Sequence, residues 1–185
     1  MLSEEHKEQK KNQLLDKCFE LFVKQGLENT SINELANYCK TYKAALYIYF
    51  DSKDEIVVEC AVRYMNTLDK KIAALSFDET PNLKTLFVKA FEMLSNEKSM
   101  MRYIYQVISS PKYGEKCRDK LLPIYGKYMN YSRELSDIYH VPHDMLRPYY
   151  LLFVATIHDF CLWENSELVS EKLNYIYQKI EGISC

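Results

Sequence analysis

Apolar residues recur every three to four positions along most of this chain, which is the period of an amphipathic α-helix. The first stripe includes Leu14, Cys18 and Phe22, and it predicts a helix from about residue 3 to Gln25. Gly26 follows at the position where a glycine commonly ends a helix. Glycine and proline number only 4 and 5 among 185 residues. The pattern and the composition together predict an all-α fold.

The next segment contains two short amphipathic stretches separated by a few polar residues. The first begins at Ser31 with Glu34 three residues later, which is the capping-box pattern of a helix start. The second places Leu46 and Phe50 on its inner face, and a rotation of about 100° per residue turns Ala44 outward. Two short helices joined by a tight turn, the second with small and varied outer side chains, predict a helix-turn-helix.

A second capping box, from Ser52 to Glu55, predicts a long helix that continues to about residue 75. The polar residues before Pro81 then mark a boundary. Further helices are predicted beyond it, and Pro123 is expected to kink or break the helical span that contains it. The expected parts are a helix-turn-helix DNA-binding domain at residues 1–52, a connecting helix and loop at 53–80, and a helical domain at 81–185.

Charge and cysteine usage limit the kinds of binding surface and the cellular setting that the sequence allows. The formal net charge is −2, and residues 1–55 hold eight lysines against ten acidic residues. This excludes a broad basic surface but not a specific nucleic-acid site, because helix N-termini can also hold phosphate. Six cysteines lie scattered without a C-x-x-C pair, which favours small core residues in a reduced cytoplasmic protein, with a thiol sensor as the second interpretation.

Phe22, Gly26, Thr30 and the run LYIYFDSK at residues 46–53 stand in an order and spacing that resemble those of the TetR-type transcriptional regulators. The resemblance covers about a quarter of the chain, and its most specific part is the run LYIYFDSK at residues 46–53. Other matches are Phe22, Gly26, Thr30, Ser31, Ile32, Leu35 and Ala36. It implies a ligand-released repressor that binds a palindromic operator in double-stranded DNA as a homodimer, with an N-terminal DNA-binding domain and a C-terminal ligand-binding and dimerisation domain.

The resemblance also implies roles for residues of the DNA-binding domain. The positions that meet phosphates in the family correspond to Thr30, Ser31, Tyr47 and Lys53. The positions that face base edges correspond to Lys43, Ala44 and Ala45, and the predicted interface further includes Tyr42 and Tyr49. The turn departs from the family pattern, since it carries Lys40 where glycine is common and Tyr42 at the N-cap. We therefore expect capping of the second helix to come from elsewhere.

Aromatic residues beyond residue 63 suggest a ligand cavity. Sixteen tyrosines and eight phenylalanines are present, and buried tyrosine hydroxyls need polar partners. Each single aromatic fits an ordinary core position, but inside a family fold that houses a ligand several are expected to line a pocket. The effector would be a small planar or amphipathic molecule. The predicted lining residues are Tyr64, Phe87, Phe91, Tyr103, Tyr125, Tyr128 and His158.

The last two helices are predicted to form the homodimer interface. The segment from about residue 144 to residue 164 is apolar on nearly all sides, so it needs partners on all sides. Pairing with a second copy in a four-helix bundle would cover it. The residues expected in that seam are Leu151, Leu152, Val154, Ala155, Cys161, Leu162, Leu173, Ile176 and Ile180.

Other functions fit less well. The chain has no G-x-S-x-G, P-loop, Rossmann glycine or H-E-x-x-H pattern, so the sequence predicts no enzyme and no cofactor. His140 and His143 flank a proline without a ligand set at metal spacing, so no metal site is predicted. The longest apolar run is too short to cross a membrane. The alternative function is a TetR-fold protein whose C-terminal domain mainly binds a protein partner, with DNA binding as a locator.

Overall fold

The computed structural model describes residues 4–75 and 77–183, and within these ranges the chain is all-helical, as predicted. A short 3-10 turn at Phe77–Glu79 separates the fourth helix from the fifth. Cys185, one of the six cysteines, lies outside the described residues. The helices are α1 Glu4–Gln25, α2 Ile32–Tyr38, α3 Lys43–Leu46, α4 Lys53–Ala73, α5 Leu83–Ser95, α6 Lys98–Ser109, α7 Gly114–Tyr139, α8 His143–Trp163 and α9 Ser166–Ile183.

Local signals in the sequence explain where these helices begin and end. Gly26 follows α1 with a φ of 89°, a left-handed conformation that costs glycine little. Half of the predicted α4 capping box is formed, because the Glu55 amide donates to the Ser52 hydroxyl at 3.1 Å, while the Glu55 carboxylate accepts from the amide of Asp51. At α5 the side chain of Asn82 accepts a hydrogen bond from the Thr85 amide at 2.9 Å. These caps satisfy donors that the first turn of a helix otherwise leaves unpaired.

The prediction that Pro123 could break a helix is wrong, because α7 continues through Pro123 from Gly114 to Tyr139. Proline removes one backbone hydrogen bond in a helix interior. Pro123 is exposed, so water can satisfy the carbonyl that loses its partner, while Leu121 and Leu135 anchor the helix on either side by burial.

The chain divides into two compact units. The N-terminal unit is the described part of Met1–Thr67 together with Tyr103–Leu121. Its core collects the inner faces of α1 to α4, including the predicted Leu14, Phe22 and Leu46. The Tyr103 ring packs against Phe22 with a centroid distance of 6.0 Å. The second unit, called the C-terminal unit, is the described part of Leu68–Arg102 and Leu122–Cys185. The functional boundaries predicted at residues 52 and 80 stay a prediction.

The C-terminal unit is built around α5, α8 and α9. The rings of Phe87 on α5 and Phe153 on α8 lie 4.5 Å apart between centroids. The Tyr150 hydroxyl donates to the Tyr128 carbonyl at 2.6 Å, which satisfies a polar group inside this apolar layer. Buried residues of α9 complete the layer: Val169, Leu173, Ile176 and Ile180.

This packing corrects part of the predicted dimer seam. Cys161, Leu173, Ile176 and Ile180 are buried within their own chain, so they are core residues and are not available to a second copy. The predicted positions Leu151 and Leu162 are exposed on α8, and so is Ala155. Leu152 and Val154 are partly exposed. The apolar stripe of α9 packs against α5 and α8 of the same chain. The sequence pattern alone could not distinguish this packing from packing against a second copy.

Among the described helices, none combines the length and the apolar character needed to span a bilayer.

Candidate nucleic-acid interface

The first helix of the predicted motif has the capping box that its sequence indicated. The Glu34 amide donates to the Ser31 hydroxyl at 3.2 Å, and the Ser31 amide donates to the Glu34 carboxylate at 2.7 Å. Hydrogen bonding of the Glu34 carboxylate to the Ser31 side chain and to the Ser31 amide lowers the pKa of Glu34. Leu35 and Ala36 point into the core of the N-terminal unit and hold α2 in place. Ser31 therefore lies exposed at the N-terminus of α2, where backbone amides can meet a phosphate.

The turn between α2 and α3 keeps a left-handed residue although it lacks glycine. Lys40 has a φ of 54°, a conformation that crowds Cβ against the backbone. The Thr41 amide donates to the Ala36 carbonyl at 2.9 Å, which closes the end of α2. Lysine thus occupies the position where glycine would fit without strain, and the surrounding hydrogen bonds hold it there.

The second helix, α3, orients its side chains as the periodicity predicted. Leu46 and Phe50 are buried, whereas Ala44 is exposed and Ala45 is half-buried beside it. Tyr42 occupies the N-cap without a side-chain hydrogen bond to the helix, which confirms that capping there is not supplied by this residue. Its side chain is 84% exposed, so it extends from the start of α3 into solvent.

Two of the predicted phosphate-contacting residues also hold the fold together. Thr30 is only 1% exposed, and its hydroxyl donates to the Gly26 carbonyl at 2.6 Å. The Lys53 ammonium donates to the Leu27 carbonyl at 2.6 Å. Both bonds fix the loop between α1 and α2 next to the helix-turn-helix. The predicted phosphate contacts of Thr30 and Lys53 stay predictions.

The remaining predicted contact residues surround α3. Lys43 is exposed, and its Nζ lies 5.8 Å from the centre of the Tyr47 ring, within the range of a cation–π interaction. Tyr47 itself is exposed at the C-terminus of α3, and Tyr49 is half-buried against Phe50. Lys43, Ala44 and Tyr47 therefore share the outward surface of the motif, while Tyr49 lies at its edge.

One residue of this surface was not among the predicted contacts. Ile48 is 65% exposed directly after α3, which is unusual for a large aliphatic side chain. The signal was present in the sequence, because the rotation that turns Ala44 outward also turns Ile48 outward. An aliphatic group at this position could contact a thymine methyl group in a major groove.

The aromatic residues predicted for an effector pocket belong to two units and are described separately. In the N-terminal unit, Tyr64 and Tyr103 both pack against Phe19, at centroid distances of 3.9 Å and 5.1 Å. The Tyr103 hydroxyl donates to the Val57 carbonyl at 3.0 Å. Burial raises the pKa of Tyr64 and Tyr103 above the ordinary tyrosine value. Both rings thus have partners within the protein core.

The other predicted pocket residues lie in the C-terminal unit. Phe87 is buried, and Phe91 contacts Phe160 at a centroid distance of 5.5 Å. Tyr125 is exposed on α7, while the Tyr128 ring lies 5.8 Å from that of Tyr131. His158 is half-buried on α8, and burial lowers its pKa. These residues are distributed over three helices, and a ligand role for them stays a prediction.

Known proteins match both the motif and the fold. Residues 14–60 match the family model of bacterial regulatory proteins of the TetR family. The biofilm operon icaADBC negative transcriptional regulator IcaR of Staphylococcus aureus is 25% identical over 130 residues, which is 68% of this chain and 65% of that protein. The chain thus matches slightly less than two thirds of this relative's length.

Solved structures extend the similarity to nearly the whole chain. The fatty acid degradation regulator FadR of Bacillus halodurans has a TM-score of 0.66 at 15% identity, covering 92% of this chain and 94% of its own. A TetR-family regulator of Streptomyces coelicolor has a TM-score of 0.68 at 16% identity, covering 94% and 95%. Residues 14–60 thus carry the DNA-binding domain of the TetR family of regulatory proteins, and nearly the whole chain shares the fold of these solved regulators.

Proposed function

We propose that this regulator is a repressor that acts as a homodimer on a palindromic operator and releases it when a small molecule binds the C-terminal domain. The observation that carries the proposal is the outward surface of α3, where Lys43, Ala44 and Tyr47 are presented by a helix anchored through buried Leu46. Lysine bonds guanine edges, and small side chains let a helix approach the major groove closely. Repression agrees with the negative regulation named for IcaR.

We expect a homodimer because the outward surface of a single α3 is small. A single α3 of four residues can reach only one half-site. Helix-turn-helix dimers read two half-sites about 34–36 Å apart, so a symmetric pair matches a palindrome. The exposed apolar residues of α8 and α9 supply the candidate dimer surface: Met145, Leu151, Leu162, Trp163, Leu168 and Tyr175. Trp163 is 77% exposed, which makes it the strongest single anchor for a partner copy.

The test begins with selection of bound duplexes from a random library by the purified full-length protein. An inverted repeat among the selected sequences is the expected result. Lys43→Ala should then relax sequence preference at one base position of each half-site, and Tyr47→Phe should weaken binding to all sequences alike. A selected pool without any shared motif would contradict the proposal, and equal loss on all sites for Lys43→Ala would move that residue to the phosphate backbone.

Effector release is tested by a thermal-shift screen with planar and amphipathic compounds. The best hit is titrated with and without the selected operator, because a ligand that releases DNA must bind more weakly when DNA is present. A typical coupling changes either affinity by about 5- to 150-fold. Identical affinities in the two titrations would exclude the compound as an inducer.

A second candidate function is recognition of a protein partner by the C-terminal domain. It is favoured by Leu122 and Tyr125, which are exposed apolar side chains on α7, whereas the candidate dimer surface is on α8 and α9. Leu122→Glu should abolish such an interaction without altering the dimer. Retention of every captured partner by this variant, compared with the native protein, would leave the effector-binding function as the better account.

A further inference from the structure

Two cysteines of the N-terminal unit meet in the core of the helix-turn-helix domain. Cys18 lies in the middle of α1, and Cys39 is the C-cap of α2. Their Sγ atoms are 3.8 Å apart, although the residues are separated by 21 positions in sequence. A disulfide requires an S–S distance of about 2.0 Å. The two sulfur atoms, now 3.8 Å apart, would therefore have to approach each other by about 1.8 Å.

The third cysteine in this core, Cys60, is held differently. Its thiol donates to the Leu15 carbonyl at 3.5 Å and is fully buried, and burial raises its pKa. The Cys39 thiol also contacts a backbone carbonyl, that of Leu14 at 4.0 Å, so what distinguishes the pair is the contact between its two sulfur atoms. Cys60 is therefore a matched control, since it shares the core with the pair but not the sulfur–sulfur contact.

The two thiols of the pair are not equivalent. The hydrogen bond with Cys18 lowers the pKa of Cys39, assisted by the positive charges of Lys17 and Lys10 and opposed by burial. The same hydrogen bond, together with burial, raises the pKa of Cys18. Cys39 is 5% exposed, whereas Cys18 is fully buried. Oxidation should therefore start at Cys39, the more acidic and more accessible thiol, with Cys18 beside it as the resolving thiol.

A hydroperoxide supplies the two oxidising equivalents that the reaction needs. The Cys39 thiolate attacks one peroxide oxygen, the O–O bond breaks, and the other oxygen leaves as an alcohol or water after taking a proton. Cys39 is then a sulfenic acid. The Cys18 sulfur attacks the Cys39 sulfur, the S–O bond breaks, and water leaves with the proton from Cys18. The net change converts two thiols and one hydroperoxide into one disulfide, one alcohol or water, and one further water.

The position of Cys39 connects this reaction to α3, the second helix of the helix-turn-helix. It immediately precedes Lys40, whose left-handed conformation forms the turn into α3. Moving Cys39 toward α1 pulls on that turn, and α3 has only four residues and no side-chain cap to resist the displacement. A covalent bond to α1 thus shifts the surface that carries Lys43 and Ala44.

From these relations we infer that Cys18 and Cys39 form an oxidisable pair whose disulfide weakens operator binding, which makes the DNA-binding domain itself a peroxide-sensitive element. The effect on DNA rests on the proposed function. The existence of the pair does not, because it can be measured in the protein without DNA.

The experiment treats the reduced full-length protein with a small excess of hydrogen peroxide. Unreacted thiols are blocked, and the peptides are mapped by mass spectrometry without reduction. The expected product is an intramolecular peptide pair that joins Cys18 to Cys39 and disappears with dithiothreitol. Affinity for the selected operator should fall about tenfold or more, within the usual range of coupling between two events in one protein. Dithiothreitol should restore it.

Variants assign the effect to this pair. Cys39→Ser should bind the operator as the reduced protein does and lose the response to peroxide, while Cys60→Ala should keep the response. Circular dichroism checks that each variant is folded, and the peptide map of the native protein needs no variant. A disulfide between other cysteines, a Cys18–Cys39 disulfide that leaves operator affinity unchanged, or a response retained by Cys39→Ser would overturn the inference. If the reduced protein selects no DNA, the proposed function fails. The peptide map then still tests whether Cys18 and Cys39 form a disulfide.

Discussion

The ammonium group of Lys53, the first residue of α4, donates a hydrogen bond to the backbone carbonyl of Leu27 at 2.6 Å. This bond joins the start of α4 to the loop between α1 and α2, 26 positions earlier in the chain. A residue predicted to contact phosphate therefore also holds together the domain that would present it. The two roles make different predictions for the same substitution.

Lys53→Ala should lower the free energy of unfolding by about 1.5 kcal/mol, the typical contribution of a hydrogen bond from a charged group. If Lys53 also neutralises a phosphate, the slope of log K against log salt for operator binding should flatten by about one unit. Urea denaturation measures the first effect, and a salt series of binding curves measures the second. Lys24→Ala removes an exposed lysine of α1 and serves as the charge control. An unchanged salt slope would leave Lys53 with the structural role only.

Lys40→Gly should stabilise the protein by about 1 kcal/mol, because glycine avoids the Cβ crowding of a left-handed conformation. The φ of 54° at Lys40 is the basis of this expectation. Lys40→Ala retains the Cβ atom and should give no such gain. Urea denaturation of the three proteins checks the prediction, and equal stability of the glycine and alanine variants would show that the turn is unstrained.

Leu151→Glu and Ile176→Glu should have different effects, because Leu151 belongs to the candidate dimer surface and Ile176 to the core. Leu151 is exposed on α8, so a charge there should leave a folded monomer with reduced operator affinity. Ile176 is fully buried, and a charge there should cost more than about 3 kcal/mol and unfold the C-terminal unit. Sedimentation velocity and circular dichroism distinguish the outcomes. A dimer that persists in Leu151→Glu would place the interface elsewhere.

His158 should make stability depend on pH. Burial lowers its pKa in the folded protein, so the unfolded chain binds the proton more tightly. Its contribution to stability is therefore complete above the ordinary histidine pKa of about 6.5 and is lost as the pH falls through the folded value. His158→Gln should flatten the fall in Tm between about pH 7.5 and pH 5. An identical decline in both proteins would assign the acid sensitivity to other groups.

Much of the motif could be predicted from sequence because its determinants are local. The capping box of Ser31 and Glu34 acts across three residues, and the inward orientation of Leu46 and Phe50 follows from the helical repeat. The first helix, predicted from about residue 3 to Gln25, spans Glu4–Gln25 in the structure. Pro123 shows the limit of this reasoning, since buried residues on both sides carry the helix through a local breaker.

The sequence by itself determined the helices, their caps and the outward face of α3, because those depend on interactions within a few positions of each other. Only the tertiary structure decided which segment covers each apolar stripe. Ile176 has the same spacing whether its cover is α8 of its own chain or a second copy. The contact of Cys18 with Cys39, and that of Lys53 with Leu27, likewise joins residues more than twenty positions apart. Such pairings are set by how whole helices pack, and the local pattern carries no information about that choice.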